Sequence, residues 1–205
     1  MARRQACVAL ANHLLAEPAL VRRIQRILEL GAGVGLLSLV SARLTGAHGA
    51  TQEKPSRIIA TDVEHKVLEM LALNIADNRV QARKLDWELA GDAQHNAEEL
   101  AAWEHTGWDS GGRASLVLGA DIVYDPSLVG PLSATLGWLL RPDTTIAPEA
   151  LVAGTLRNEA TWRSFLSSCQ SRLRERRLAL ANRLRLIAAL PWQDRFRHVQ
   201  IKDGM

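Results

Sequence analysis

The sequence has little of what marks secreted or membrane-spanning chains. It holds only two cysteines in 205 residues, Cys7 and Cys169, which are too few for a disulfide framework. No uninterrupted apolar run approaches the ~18 residues that a membrane-spanning helix needs. Apolar residues still make up 47% of the chain, which excludes a disordered chain. We therefore expect one folded domain over residues 1–205, in a reducing compartment such as the cytoplasm and without membrane association.

Aromatic residues are also scarce, at 4% of the chain, and they do not interleave with basic residues as single-strand nucleic-acid binding requires. The net charge is +3, but 11 of the 25 basic and 4 of the 22 acidic residues lie in residues 157–205. This basic end suits an RNA, ribosomal or acidic protein partner, or a solvated helix face rich in Arg. We expect no direct nucleic-acid binding, no metal cluster and a monomer.

The N-terminal segment superficially resembles a signal peptide. Asn12 and His13 interrupt its apolar centre, however, and four apolar residues recur at helical spacing: Leu10, Leu14, Leu15 and Val21. The segment is therefore predicted to be an amphipathic helix of the domain.

Strand-like apolar runs alternate with helical patterns along the rest of the chain. Strands are predicted at 26–30, 57–62, 80–87, 114–121 and 149–156, and helices at 36–44, 65–78, 127–140 and 160–173. Two last strands are expected at 184–190 and 196–202, and polar connections at 45–56 and 90–113. Repeated alternation of strand and helix predicts an α/β fold with a mostly parallel sheet and helices on both faces.

A glycine-rich loop, "LELGAGVGLLSL" at residues 28–39, joins the first predicted strand to its helix. Such a loop is where α/β sheets bind nucleotide cofactors. It lacks the Gly-Lys-Ser/Thr of a Walker A motif, and Leu36 replaces the third glycine of the dinucleotide fingerprint. An NAD-dependent dehydrogenase is therefore disfavoured, and a purely structural tight turn stays an alternative.

What remains in this loop is E-x-G-x-G-x-G, from Glu29 through Gly31 and Gly33 to Gly35. This pattern resembles the S-adenosylmethionine loop of seven-strand methyltransferases. The resemblance implies that the three glycines border the cofactor and that Glu29 faces its methionine part.

Carboxylates also end the next two predicted strands. Asp62 can accept hydrogen bonds from both hydroxyls of a ribose, or cap the following helix. The resemblance implies that Asp86 takes the adenine amino group and that Trp87 covers the ring; the alternative for Trp87 is a core position.

The fourth predicted strand ends in "GADIVYD", residues 119–125, and its Asp121-x-x-Tyr124 resembles the DxxY motif of a family of protein lysine methyltransferases. The segments "LVLGADIVYDPSLVGPL" and "LVAGTLRNEATWRSFL" resemble the elongation factor 2 lysine methyltransferases in particular, over residues from about 5 to about 170. The resemblance implies a Rossmann-like seven-strand methyltransferase fold, S-adenosylmethionine as cofactor, Ala120 beside it, and elongation factor 2 as the protein substrate.

For the acceptor side, our hypothesis is that Asp121 accepts a hydrogen bond from the substrate lysine and that Tyr124 shapes its channel. The alternative is that Asp121 caps the following helix and Tyr124 packs in the core. Arg157 and Asn158 are expected to shape a substrate-facing loop, or to form only the turn into the last predicted helix.

Two departures from the resemblance leave other functions open. Family members usually carry a Thr-Trp pair entering the first helix, which this N-terminus lacks, and the tail at 174–205 matches poorly. A truncated, weak or inactive methyltransferase-fold binding protein is therefore one alternative. A methyltransferase of a non-protein acceptor is the other.

Overall fold

The computed structural model describes residues 5–22, 24–46, 56–90, 114–140, 148–175, 184–189 and 197–200. The strands of its sheet are β1 (Arg26–Leu30), β2 (Arg57–Asp62), β3 (Val80–Lys84), β4 (Leu116–Ala120), β5 (Glu149–Thr155), β6 (Leu184–Ala189) and β7 (Arg197–Gln200). The helices are α1 (Gln5–Ala16), α2 (Ala19–Arg22), α3 (Leu36–Leu44), α4 (His65–Ile75), α5 (Trp87–Ala90), α6 (Val129–Leu139) and α7 (Glu159–Glu175).

The strands form one sheet in the order β3-β2-β1-β4-β5-β6-β7. Strands β1 to β6 run parallel, and β7 is antiparallel to β6. The predicted α/β fold with a mostly parallel sheet is therefore confirmed, as are both strands of the tail. Because the strand order reverses between β1 and β4, the carboxyl ends of these two strands border the crevice where open α/β sheets bind ligands.

Two apolar layers cover the two faces of the sheet. One packs Leu28 and Leu30 of β1 against α6 and α7, with the fully buried Phe165 at its centre. The other packs Ile27 of β1 against α1, α3 and α4. Alternate residues of β1 thus enter opposite cores, which is why a parallel strand reads as a continuous apolar run.

The third predicted strand is shorter than expected. It ends at Lys84, and residues 87–90 form α5 instead. The cause is local, because Asp86 accepts a hydrogen bond from the main-chain N–H of Glu88 and turns the chain into a helix. Asp86 and Trp87 therefore follow the strand rather than end it.

The other observed element boundaries differ from the predicted ones by one helical turn or less. The helix predicted at 65–78 ends at Ile75, and the one predicted at 127–140 begins with a 3-10 turn at Pro126–Leu128. Pro131 lies in the first turn of α6, where it costs no helical hydrogen bond. The polar connections predicted at 45–56 and 90–113 fall largely outside the described residues.

The N-terminal helix is confirmed but divided. It ends at Ala16, and Pro18 precedes the short α2. Leu10 and Leu14 are buried, whereas Leu15 is 53% exposed and does not share their face. Within the described ranges, no helix combines the length and apolar character needed to cross a bilayer.

Candidate active site

A cleft of about 320 Å³ opens at the carboxyl ends of β1, β2, β3 and β4. Seven of the ten residues predicted to contact the cofactor or the acceptor lysine line it: Gly31, Asp62, Asp86, Trp87, Ala120, Asp121 and Tyr124. Their separation along the chain is about ninety residues, and the sheet topology alone brings them together. The other three, Glu29, Gly33 and Gly35, lie in or beneath the glycine loop and are not part of the cleft wall.

The three loop glycines have left-handed φ angles, +59° at Gly31, +54° at Gly33 and +84° at Gly35. A side chain would strain the backbone at each of them. Their surroundings differ, however. A Cβ atom at Gly35 would lie 2.6 Å from Cδ1 of Leu71, whereas one at Gly33 would meet nothing within 4 Å. Gly35 therefore serves packing against α4, and Gly33 borders open space.

Asp62 ties the glycine loop to the end of β2. Its Oδ2 accepts a hydrogen bond from the N–H of Gly33 at 3.0 Å, and its Oδ1 accepts from the N–H groups of Val63 and Glu64. These bonds form a turn ahead of α4, which begins one residue later at His65. Asp62 thus orders two turns around the cleft and is not the helix N-cap itself.

Glu29 lies under the loop, not in the cleft. It is 2% exposed, and its Oε2 accepts hydrogen bonds from both the main-chain N–H and the hydroxyl of Ser38 in α3. Burial raises the pKa of Glu29 to about 7; the Ser38 bonds oppose this rise, and the nearby carboxylate of Asp62 adds to it. The expected contact between Glu29 and a cofactor therefore stays a prediction, while its packing role is visible.

Trp87 contacts the core, and its role as a cover for the adenine ring stays a prediction. Its ring packs against the buried core and also lines the cleft. The ring edge lies against Gly31, where a Cβ atom would sit 3.5 Å from it. An aromatic face beside a glycine turn is suited to cover a flat heterocycle.

Asp121 has an unusual backbone, with a left-handed φ of +56°. Its N–H donates to the carbonyl of Ala153, and its Oδ1 accepts from the N–H of Thr155 at 3.1 Å. The end of β5 therefore holds it in a strained conformation, of a kind that concentrates at functional sites. The helix-cap alternative is wrong for Asp121, because Asp125 caps the following turn by accepting from Ser127.

The remaining acceptor-side residues divide between the mouth of the cleft and the entry to α7. Tyr124 is 56% exposed and lines the cleft, so the alternative that it packs in the core is wrong. Asn158 accepts hydrogen bonds from the N–H groups of Ala160 and Thr161, which makes it the cap of α7. Arg157 is exposed beside it. The turn predicted as the alternative for this pair is thus present.

Sequence reasoning missed several residues that line the cleft: Val63, Leu85, Glu88, Ile122 and Leu128. Ile122 is buried, and its side chain fills the space that Gly31 and Gly119 leave open. Four of the five are direct neighbours of predicted site residues in the sequence, which was the available signal; the exception is Leu128.

Comparison with known proteins adds relatives of stated activity. The chain is 35% identical over 176 residues to the protein-lysine N-methyltransferase EFM3 of Chaetomium thermophilum, covering 82% of this chain and 46% of that one. It is 31% identical over 129 residues to the protein N-lysine methyltransferase METTL21A of Danio rerio, covering 60% and 47%. The chain therefore spans about half the length of the curated relatives it matches.

Among solved structures, magnesium protoporphyrin IX methyltransferase of Synechocystis PCC 6803 with bound SAM is 13% identical, with a TM-score of 0.44, over 79% of this chain and 69% of that one. That score is too low to carry an inference about the ligand of this chain.

The family comparison covers as much of the chain as the first of these relatives does. The family described as lysine methyltransferase matches residues 5–172. This span begins with α1, includes the glycine loop and the Asp121 segment, and reaches into the last turns of α7. The chain therefore belongs to the lysine methyltransferase family.

Proposed function

We propose that this chain is an S-adenosylmethionine-dependent protein-lysine N-methyltransferase whose substrate is a lysine of elongation factor 2. The observation that carries the proposal is the single cleft in which predicted cofactor residues, such as Asp62 and Trp87, meet predicted acceptor residues, Asp121 and Tyr124. Such convergence at the carboxyl ends of parallel strands is typical of active sites in this fold class.

The chemistry of the cleft fits the proposed cofactor. Gly33 borders open space that a Cβ atom would enter, so the loop main chain is accessible to a ligand. Asp62 is held by three N–H groups at the end of β2, and its Oδ2, which accepts only one of these bonds, retains a lone pair for a ribose hydroxyl. Asp86 and Trp87 would hold the adenine. S-adenosylmethionine supplies, when bound, an electrophilic methyl group on a cationic sulfonium.

The residues on the acceptor side would prepare the lysine. An amine attacks only when neutral, yet the free pKa of lysine is ~10.4. Desolvation in the cleft favours loss of the proton to solvent. The Asp121 carboxylate, fixed by the N–H of Thr155, would accept a hydrogen bond from the amine and orient its lone pair. Tyr124 would form part of the channel wall. Most of the rate acceleration would then come from holding the amine and the methyl group in position.

The choice of elongation factor 2 is supported by the resemblance of residues 116–132 and 151–166 to methyltransferases of that substrate. We also propose a cytoplasmic monomer. The free thiols of Cys7 and Cys169 suit a reducing compartment, and size-exclusion chromatography coupled to light scattering measures the oligomeric state.

The first test is calorimetric titration of the chain with S-adenosylhomocysteine. We expect micromolar binding that is lost in Asp62→Ala and retained in Glu64→Ala, a matched loss of the neighbouring exposed carboxylate. A folded chain that binds nothing would instead favour a methyltransferase-fold binding protein.

The second test is transfer of a radiolabelled methyl group to purified elongation factor 2, with the modified residue located by mass spectrometry. Methylation of one lysine is the expected result. Cofactor binding without transfer to this protein, but with transfer to a small molecule or another protein, would retain the enzyme and replace its substrate.

A further inference from the structure

The mouth of the cleft carries apolar side chains that are open to solvent. Val63, in the turn after β2, is 51% exposed, and Tyr124, after β4, is 56% exposed. Both line the cleft, together with the partly buried Leu128. We call these three residues the apolar rim. Large apolar side chains that are exposed together around a concavity indicate a surface that a partner covers.

The wall inside this rim is negatively charged. Of the described residues that line the cleft, four are carboxylates and none is Lys, Arg or His; the four are Asp62, Asp86, Glu88 and Asp121. The nearest basic residues on the same segments, Lys66 and Lys84, are not in the wall. Low-dielectric walls focus the field of such charges towards the opening, which attracts cations and repels anions.

Glu88 differs from the other three carboxylates. Asp62, Asp86 and Asp121 each accept hydrogen bonds from main-chain N–H groups. Glu88 is exposed in α5, and across the part of the chain that the structure describes its carboxylate has no cationic partner. It is therefore the carboxylate in the wall that is available to a side chain arriving from outside.

We propose that the apolar rim and Glu88 form the docking surface for the protein segment that presents the acceptor lysine, and that this segment is cationic, with Lys or Arg beside the target lysine. Charge complementarity commits the surface to this occupant, because an acidic segment would face Glu88 and Asp121, the two carboxylates of the wall that are not assigned to the cofactor. The aliphatic stems of flanking Lys or Arg side chains pack on the rim while their charged ends reach Glu88. This inference rests on the proposed lysine methyltransferase function and adds the class of substrate sequence.

The test compares two fluorescent peptides of equal length with one central lysine, flanked by arginines in one and by glutamates in the other. Their binding to the full chain is measured by fluorescence anisotropy with saturating S-adenosylhomocysteine. At low salt we expect the arginine peptide to bind at least about tenfold more tightly. At ~1 M salt this advantage shrinks, because the Debye length falls to ~3 Å. Equal binding of the two peptides would overturn the proposal.

Charge reversal at single residues tests whether Glu88 causes the preference for the arginine peptide. Glu88→Lys is expected to lower the affinity for the arginine peptide about fivefold and to leave the affinity for S-adenosylhomocysteine unchanged. Glu69→Lys makes the same charge change on α4, where Glu69 pairs with His65 at 3.2 Å and does not line the cleft, and it is expected to have little effect. Equal effects of both variants, or an equal loss of cofactor affinity in Glu88→Lys, would contradict a docking role for Glu88.

The rim has its own matched pair. Val63→Ser is expected to lower the affinity for both peptides several-fold, since it removes apolar contact. The control Leu73→Ser changes an 80% exposed leucine away from the cleft and is expected to leave both affinities unchanged. Methyl transfer to purified elongation factor 2 is followed in parallel. Preferential binding of the arginine peptide without transfer to any protein would retain the docking surface and contradict the proposed activity; transfer without any peptide preference would do the reverse.

Discussion

Ser38 donates both its main-chain N–H, at 2.8 Å, and its hydroxyl to the same carboxylate oxygen of Glu29. The two residues lie on either side of the glycine loop, at the end of β1 and in the first turn of α3. Both are buried. A buried carboxyl group that accepts two hydrogen bonds from one residue holds that residue firmly, so this pair fixes the geometry with which the loop enters α3.

Glu29 gives stability a defined pH dependence. Its pKa rises from 4.5 to about 7 on folding, so between these values the native state retains a proton that the unfolded chain has lost. The contribution of Glu29 to the free energy of unfolding is therefore complete below pH 4.5 and is lost as pH rises through about 7. The loss amounts to about 3 kcal/mol for this group.

Urea unfolding of the wild type and of Glu29→Gln, at several pH values from below 4.5 to 8, measures this effect. The glutamine oxygen can still accept both Ser38 bonds but does not titrate. We expect the difference in unfolding free energy between the two proteins to change by about 3 kcal/mol over this range. The wild type becomes less stable relative to Glu29→Gln as pH rises. A difference that stays constant with pH would mean that Glu29 titrates normally.

The glycine loop allows a second prediction, because two of its glycines differ only in their surroundings. Gly35→Ala places a Cβ atom 2.6 Å from Leu71 and forces a left-handed φ, for an expected cost of about 2–5 kcal/mol. Gly33→Ala meets no neighbour and is expected to cost about 1 kcal/mol of strain.

The same two variants separate packing from binding when urea unfolding is combined with calorimetry. Gly33→Ala is expected to weaken the binding of S-adenosylhomocysteine strongly although it lowers stability only a little. The reason is that its methyl group enters the open space beside the loop. Comparable unfolding free energies for both variants would show that α4 moves aside at Gly35. Unchanged ligand affinity in Gly33→Ala would mean that no ligand approaches Gly33.

The sequence was sufficient for the strands and the longer helices, though not for the short α2 and α5, and for the edge of the sheet where the site lies. Apolar runs such as "RIIATD" and "ASLVLGAD" have the period and length of buried strands, and a residue at the end of a parallel strand falls at one common edge. The position of Asp62 and Ala120 at this edge of the sheet could therefore be predicted from the sequence alone.

What the sequence could not give were contacts formed between distant segments. The hydrogen bonds from Ser38 to the Glu29 carboxylate are one example, because nothing in the E-x-G-x-G-x-G pattern specifies the partner of this side chain within the protein. The strained φ of Asp121 depends on Ala153 and Thr155, more than thirty residues away. Propensity and period describe neighbours along the chain, and these two features depend on tertiary pairing.

Tyr124 supplies the third prediction. Its exposed ring lines the cleft mouth, and we assign it a shaping role that needs the ring more than the hydroxyl. Tyr124→Phe is therefore expected to retain most of the methyl-transfer rate, and Tyr124→Ala to lower kcat/KM for the protein substrate about tenfold or more with unchanged cofactor affinity. Steady-state kinetics with both variants decide this, and a large loss in Tyr124→Phe would assign the hydroxyl a chemical role instead.

Asp121→Asn is the most direct test of the acceptor chemistry, because it removes the charge and little else. Asparagine tolerates the left-handed φ of +56° better than other non-glycine residues, and its side-chain oxygen can still accept the Thr155 N–H bond. We expect unfolding free energy and cofactor affinity close to wild type, with kcat reduced about 100-fold or more. Asp125→Asn is the matched control four residues away, where the exposed carboxylate caps the next turn through Ser127; its rate is expected to change by less than about threefold. If both variants kept wild-type kcat, Asp121 would only brace the end of β4 against β5, and the amine would have to be oriented by other groups of the cleft.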